Sequence, residues 1–379
     1  MLKLKILINN TIILSFLRSY GLTFLRSYCC LLTLLWISFS ALSQTINDNP
    51  DSGLDPNSGV ESTLTVPEIL KTTKFDGVIK TKVETSTEAG VFRFNVRNSR
   101  LGLRGDMGEY LSYRVQVELS NEGVFSPLDL FGTLKPTKNI SFLFGQQSIP
   151  FENSYLITPA EMMFANRAFL GKYFTPGTRD IGAVVQYRFR FADFPIETQA
   201  GVFNGDRINN PQWTEKPSFA LRLIAGTMDG FRSTAKIYKY TSTQDERFFW
   251  AADARYANNR LRIETEVMNR NSNKTGLNLF GTYIQSAYTF VLSEAKMFHT
   301  ITPAARWDAM GYDVWNSYFD VKRITAGIHF GLTLIPFDSL LRLDYEHYFV
   351  RKGITFPDFD NRDAHVSDNK VTIELLIKF

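Results

Sequence analysis

From Phe75 to Phe379 the chain repeats one pattern. Short runs of alternating apolar and polar side chains are separated by turn residues, with no long stretch of helical period. Side chains in a strand point alternately to opposite faces, so each run has one greasy and one polar face. At the end of the chain, Val371, Ile373, Leu375, Ile377 and Phe379 fall on one face. Thr372, Glu374 and Lys378 fall on the other, with Leu376 the exception. A half-buried soluble sheet alternates too, so a secreted sandwich or solenoid is the competing architecture. A barrel in a bilayer must close on itself and face lipid, and an amphipathic final strand ending on an aromatic residue suits that closure.

Several other runs are as regular. Leu111, Tyr113, Val115, Val117 and Leu119 oppose Ser112, Arg114, Gln116, Glu118 and Ser120. Ile324, Ala326, Ile328 and Phe330 oppose Thr325, Gly327, His329 and Gly331. Leu341, Leu343 and Tyr345 oppose Arg342, Asp344 and Glu346. Runs start near Phe75, Val91, Tyr110, Leu128, Ile140, Ile181, Ile196, Ser218, Ser233, Phe248, Leu261, Leu279, Thr300, Lys322, Ser339 and Lys370. About sixteen strands of roughly ten residues predict an all-β fold, a transmembrane antiparallel β-barrel over residues 75–379. Aromatics at run ends (Tyr110, Phe189, Phe191, Phe248, Trp250, Phe290, Trp307, Tyr348 and Phe349) are candidates for interfacial girdles.

Residues 1–43 read as a secretory signal peptide: Lys3, Lys5, Arg18 and Arg26 without an acid, an apolar run from Cys29 to Leu42, and a small-x-small site at Ala41-Leu42-Ser43. This leader holds both cysteines, so the exported chain is expected to have no disulfide and no thiolate metal site. It also holds four of the 42 basic residues and none of the 38 acids, which leaves the remainder formally neutral. Nucleic-acid binding thereby loses its electrostatic basis. Residues 44–74 read as a flexible arm rich in Asn, Asp, Ser, Pro and Gly. Asp48, Asp51, Asp55 and Asn57 hint at a calcium loop, but Pro50 or Leu54 falls where an oxygen ligand is needed, so no metal or other cofactor is expected.

The longest break in the alternation is about 148–180, with Pro150, Pro159, Pro176 and Gly177 and a short helical stretch from Glu161 to Leu170. Long loops in regular folds are usually functional, and in a wide barrel such a loop can fold inward and narrow the lumen. Arg167, Lys172 and Arg179 are then candidate constriction charges. A surface loop is the alternative.

Three stretches in order carry a family resemblance. They are Arg97-Asn98-Ser99-Arg100-Leu101-Gly102-Leu103-Arg104-Gly105, Phe144-Gly145-Gln146-Gln147-Ser148-Ile149-Pro150-Phe151-Glu152, and Thr178-Arg179-Asp180-Ile181-Gly182. With them, the region from Phe92 to Gly182 resembles the phosphate-selective porin O/P family of outer-membrane channels, and the later strands match in texture. The resemblance implies a homotrimeric porin in the outer membrane of a Gram-negative bacterium, surrounded by lipid, with an inward loop and basic residues along the pore. It also implies that Phe379 is the signal read by the barrel-assembly machinery. The expected function is passive diffusion of small hydrophilic solutes, with small anions or phosphate preferred. Pore-lining candidates are Arg97, Arg100, Arg104, Arg114, Arg188 and Arg190, besides Arg167, Lys172 and Arg179. Further inward candidates include Arg222, Arg262, Arg306 and Arg342, with Glu118, Asp253, Glu264, Glu266, Asp308, Asp344 and Glu346. Arg97 and Arg100 differ in parity, so both face inward only across a bulge near Asn98-Ser99. These arginines can set anion preference, or pair with neighbouring carboxylates and brace the wall.

Two other functions stay open: a non-transport barrel acting as an adhesin or structural protein, and a membrane-embedded hydrolase. The chain lacks a G-x-S-x-G elbow and an H-E-x-x-H zinc motif, and an enzyme is not expected. His347 with Asp344 and Glu346 is the best catalytic candidate it offers.

Overall fold

The computed structural model describes residues 72–151, 158–174, 178–205, 208–242, 246–292, 297–312, 314–315, 318–333, 338–353 and 365–379. The leader, the arm up to residue 71 and the rejected calcium register lie outside the described residues. The strands are β1 Lys74–Ser86, β2 Phe92–Met107, β3 Leu111–Asn121, β4 Val124–Leu134 and β5 Ile140–Ser148. There follow β6 Arg179–Phe191, β7 Phe194–Phe203, β8 Ser218–Gly226, β9 Gly230–Thr241, β10 Glu246–Ala257 and β11 Leu261–Ser272. The last are β12 Asn278–Tyr288, β13 Phe290–Val291, β14 Phe298–Tyr312, β15 Val321–Leu332, β16 Asp338–Val350 and β17 Lys370–Lys378. The two-residue β13 continues the line of β12, and both pair with β14. The ring therefore has sixteen staves, all antiparallel, and β17 closes on β1 from Val78↔Lys378 to Ser86↔Lys370. At this seam Phe379 and Gly77 exchange main-chain hydrogen bonds of 2.8 and 3.1 Å. Strand starts match the alternation closely; the largest displacement is β4, which begins at Val124 rather than Leu128.

Side chains sort by parity around the ring. Phe94, Leu101, Leu221, Ile237, Ile284, Ile328, Leu343 and Ile373 are exposed outside, whereas Glu264, Asp308, Thr325 and Glu374 are fully buried. A water-soluble protein would have the opposite arrangement; an apolar exterior around a polar interior is the pattern of a barrel in lipid. No described helix is long and apolar enough to cross a membrane. Leu376, the exception to the final alternation, turns inward and is buried.

The bulge in β2 is where the parity of Arg97 and Arg100 requires it. Register shifts on both sides of Ser99, and Asn98 has φ 58°. Asn tolerates this left-handed conformation because its short polar side chain bonds locally, here by donating from Nδ2 to Glu118 at 3.1 Å. Asn98→Val should cost about 1–2 kcal/mol, as expected for a β-branched residue at positive φ. The check is the denaturant midpoint of the detergent-solubilised barrel, which should fall.

Candidate functional site

Inside the ring lies the segment 158–174, which includes a 3-10 turn at Pro159–Glu161 and the short helix α1, Leu170–Tyr173. It leaves the barrel after β5, at the end opposite the Phe379–Gly77 seam, yet it meets side chains well inside the ring. Two kinds of contact hold it. One is apolar: Phe169, Leu170 and Phe174 are buried among Phe203, Tyr238, Phe249, Met268, Leu279 and Tyr283. Gly281 on β12 makes room for this, since an added Cβ would stand 2.5 Å from the Phe174 ring. The interior is thus not polar throughout; the inward positions of β7 and β9–β12 include large apolar groups that receive the segment.

The other contact is main chain to wall charge. Arg262 donates to the carbonyl of Glu161 (2.8 Å), Arg342 to Met162 (2.5 Å), Arg306 to Asn166 (2.9 Å), Arg323 to Arg167 (2.8 Å) and Arg270 to Tyr173 (3.0 Å). Carboxylates accept in the other direction: Asp344 from the Ala165 N–H at 2.8 Å and Asp308 from the Phe169 N–H at 2.9 Å. A buried irregular segment needs partners for its peptide groups, and the wall supplies them. Arg323 and Arg270 were not among the sequence candidates. Extending the inward series Thr325, Gly327, His329 back by two residues reaches Arg323, and extending Glu264, Glu266 forward reaches Arg270.

On the other side of the interior, facing β1–β8, is a cavity of about 890 Å³. Its charged lining is Lys74, Arg104, Arg114, Lys135, Arg179, Arg188 and Arg222 against Asp106 and Asp129. Of the sequence candidates, Arg104, Arg114, Arg179, Arg188 and Arg222 meet here. Arg97 and Arg167 instead line a second cavity of about 70 Å³ with Arg93, Glu84, Arg323 and Glu346. Arg100 is buried against Glu118 at 3.2 Å. Arg190 is not in the lining of the large cavity; it donates to the Asp193 carbonyl at 2.7 Å in the β6–β7 turn. Arg179 belongs to β6 and not to the inner segment, and the Lys172 side chain lies outside the described residues.

The early-strand arginines also hold carboxylates. Arg179 grips Asp129 at 2.6 Å, Arg188 meets Glu197 at 2.6 Å, and Arg97 lies 3.7 Å from Glu122. Arg114 reaches across β2 to Asp76 on β1, passing over Gly102, where a Cβ would stand 2.8 Å from the guanidinium. Arg104 lies 4.0 Å from the same Asp76. Bracing the wall and charging the cavity are therefore not exclusive: Arg104, Arg114, Arg179 and Arg188 lie beside carboxylates and also line the large cavity, where basic groups outnumber acids.

Two sequence readings are corrected here. Tyr348 is not a girdle residue; it shares the inward parity of Asp344 and Glu346, and its hydroxyl accepts from Arg323 at 3.0 Å. His347 does not meet Asp344 or Glu346. It lies with Tyr345 and Phe349, while those acids face inward and Asp344 pairs with His329 at 2.9 Å. Among the described residues no group of His, Cys, Asp and Glu is arranged to hold a metal ion.

A closed antiparallel barrel of sixteen staves, apolar outside and charged within, has the fold of the outer-membrane porins. The solved structures it is similar to include an anion-selective porin from Comamonas acidovorans (TM-score 0.57, 11% identity, covering 81% of this chain and 99% of that one). They also include OmpF of Salmonella typhi in complex with daunomycin (0.56, 14%, 81% and 97%) and the outer-membrane channel DcaP of Acinetobacter baumannii (0.54, 13%, 81% and 97%). At these identities the likeness is one of fold. No protein-family model matches the sequence, and no curated protein matches it.

Proposed function

We propose that this chain is an outer-membrane channel for passive diffusion of small hydrophilic solutes, with a preference for anions. The observation that carries the reading is the large cavity inside a lipid-compatible ring, where seven basic side chains face two acids. Ion preference follows the local field of the lining and not net charge, so the formally neutral part of the chain after residue 43 can still favour anions. The segment 158–174 acts as the constriction, because it occupies part of the interior and leaves the basic side open.

Phosphate as a preferred solute draws on the resemblance of the region from Phe92 to Gly182. Its last two stretches are neighbours in space, since β5 and β6 pair Gly145 with Gly182 and Gln146 with Ile181. Planar-bilayer reconstitution tests the channel: absence of stable conductance steps would sink it. Replacing Arg104, Arg114 and Arg188 together by Gln should move the reversal potential in a salt gradient toward cation preference. An unmoved potential would remove the anion preference and leave the channel intact.

A further inference from the structure

We propose that Arg222 anchors an oxyanion-binding subsite in the large cavity, so that a solute bearing a carboxylate or phosphate group binds there during passage; this rests on the channel reading above. Arg222 lies on β8, in register with Gln199 of β7 and Lys236 of β9. It is 5% exposed and forms part of the cavity wall. Its Nε and Nη2 are buried without a hydrogen-bond partner. Those two N–H groups share one edge of the guanidinium, and that edge grips two oxygens at once.

Other inward arginines show the ordinary use of this edge. Arg179 places Nε and Nη2 on the two oxygens of Asp129, at 2.6 and 3.3 Å. Arg323 does the same on Asp308, at 3.0 and 2.6 Å. Arg232, Arg255, Arg262, Arg306 and Arg342 also have a buried nitrogen without a hydrogen bond, but each holds a wall carboxylate through an ion pair. No ion pair or hydrogen bond joins Arg222 to another described residue.

The carboxylates nearest in the wall hold other cations, although one oxygen of Asp253 accepts no hydrogen bond and has only Arg232 at 3.6 Å. Asp253 and Glu266 both pair with Lys236, the latter at 2.7 Å. Glu197 accepts from Arg188 at 2.6 Å and from Gln199 at 2.5 Å. A guanidinium taken out of water without counter-oxygens is unfavourable, and a buried donor left unsatisfied calls for a cause. A solute oxyanion entering the cavity supplies the missing oxygens, with the Gln186 amide in the same lining; the amides of Gln147 and Gln199 already donate to Leu143 and Gly182 and to Glu197. Carboxylate and phosphate share the chemistry this edge recognises.

The test measures chloride current through single channels while sodium acetate or inorganic phosphate is added. In the wild type, at least one of these anions should reduce the current saturably. Reduction by acetate alone identifies a carboxylate site, and by phosphate alone a phosphate site. Arg222→Gln should raise the half-blocking concentration about tenfold, the loss expected for one charge-assisted contact. Arg222→Lys keeps the charge without the fork and should fall between. An unchanged half-blocking concentration in R222Q at intact conductance would overturn the subsite. So would a wild-type channel whose current neither anion reduces saturably; in both cases the channel reading survives. If R222Q yields no channels, R222K decides, and a value equal to the wild type's overturns the proposal. Wild-type protein without conductance steps would overturn the channel and the subsite together.

Discussion

Arg323→Met should raise single-channel conductance and lower the unfolding temperature of the detergent-solubilised barrel. Arg323 joins three parts of the interior. It donates to both oxygens of Asp308 on β14 (3.0 and 2.6 Å), to Glu346 on β16 (2.8 Å) and to the Arg167 carbonyl of the inner segment (2.8 Å). Its guanidinium also lies 4.6 Å from the centre of the Phe169 ring. Removing one partner from a buried ion pair costs about 3–5 kcal/mol, because the other charge stays buried without compensation. Here Asp308 and Glu346 keep only the Arg306 cation, at 3.8 and 3.5 Å, which places the cost at the lower end of that range, and Asp308 also accepts the Phe169 N–H. The inner segment should therefore detach before the ring opens, which widens the lumen. A lower unfolding temperature with unchanged conductance would mean that the packing of Phe169, Leu170 and Phe174, with the bonds from Arg262, Arg270, Arg306 and Arg342, holds the segment without Arg323.

Glu374→Leu should speed the unfolding of the closed ring more than any single change on the outer face. Glu374 has no exposed surface and stands next to the seam between β17 and β1. It accepts from Arg342 of β16 at 2.7 Å and pairs with Lys80 of β1 at 3.0 Å, so one carboxylate ties three consecutive staves. Its loss leaves two cations buried side by side, at a cost of about 3–5 kcal/mol. Replacing all three by apolar residues of similar size (Lys80→Met, Arg342→Met and Glu374→Leu) should recover much of that loss, since no unpaired charge remains. The readout is the unfolding rate in detergent at raised temperature, which reports the barrier to opening the ring. An E374L rate equal to that of the wild type would show that the seam is held by its backbone ladder alone.

Much of the architecture was legible because strand periodicity is local. The parity of Thr325, Gly327 and His329 assigns the inward face of β15 without reference to another strand. The conflict in parity between Arg97 and Arg100 could likewise be read as a requirement for a bulge, which Asn98 and Ser99 provide. Tyr348 has the residue type and run-end position of a girdle aromatic, but it shares the parity of Arg342, Asp344 and Glu346, and parity decides the face. Arg323 shares the inward parity of Thr325 but stands at the very start of β15, where the alternation has only begun.

The site was less legible than the strands. Arg114 chooses Asp76 two staves away because Gly102 leaves a gap between them. Asp253 and Glu266 converge on Lys236 and leave Arg222 without a counter-oxygen. The inner segment rests near β12 because Gly281 has no side chain there. The sequence by itself determined a succession of two-faced strands, since each carries its own two faces in its alternation; closure into a ring came from the pairing of β17 with β1. The tertiary structure alone decided which charges cancel, which remain, and which side of the interior is filled. Those outcomes depend on register and on the return of 158–174 into the ring, and both join residues far apart in the chain through contacts that no local period encodes.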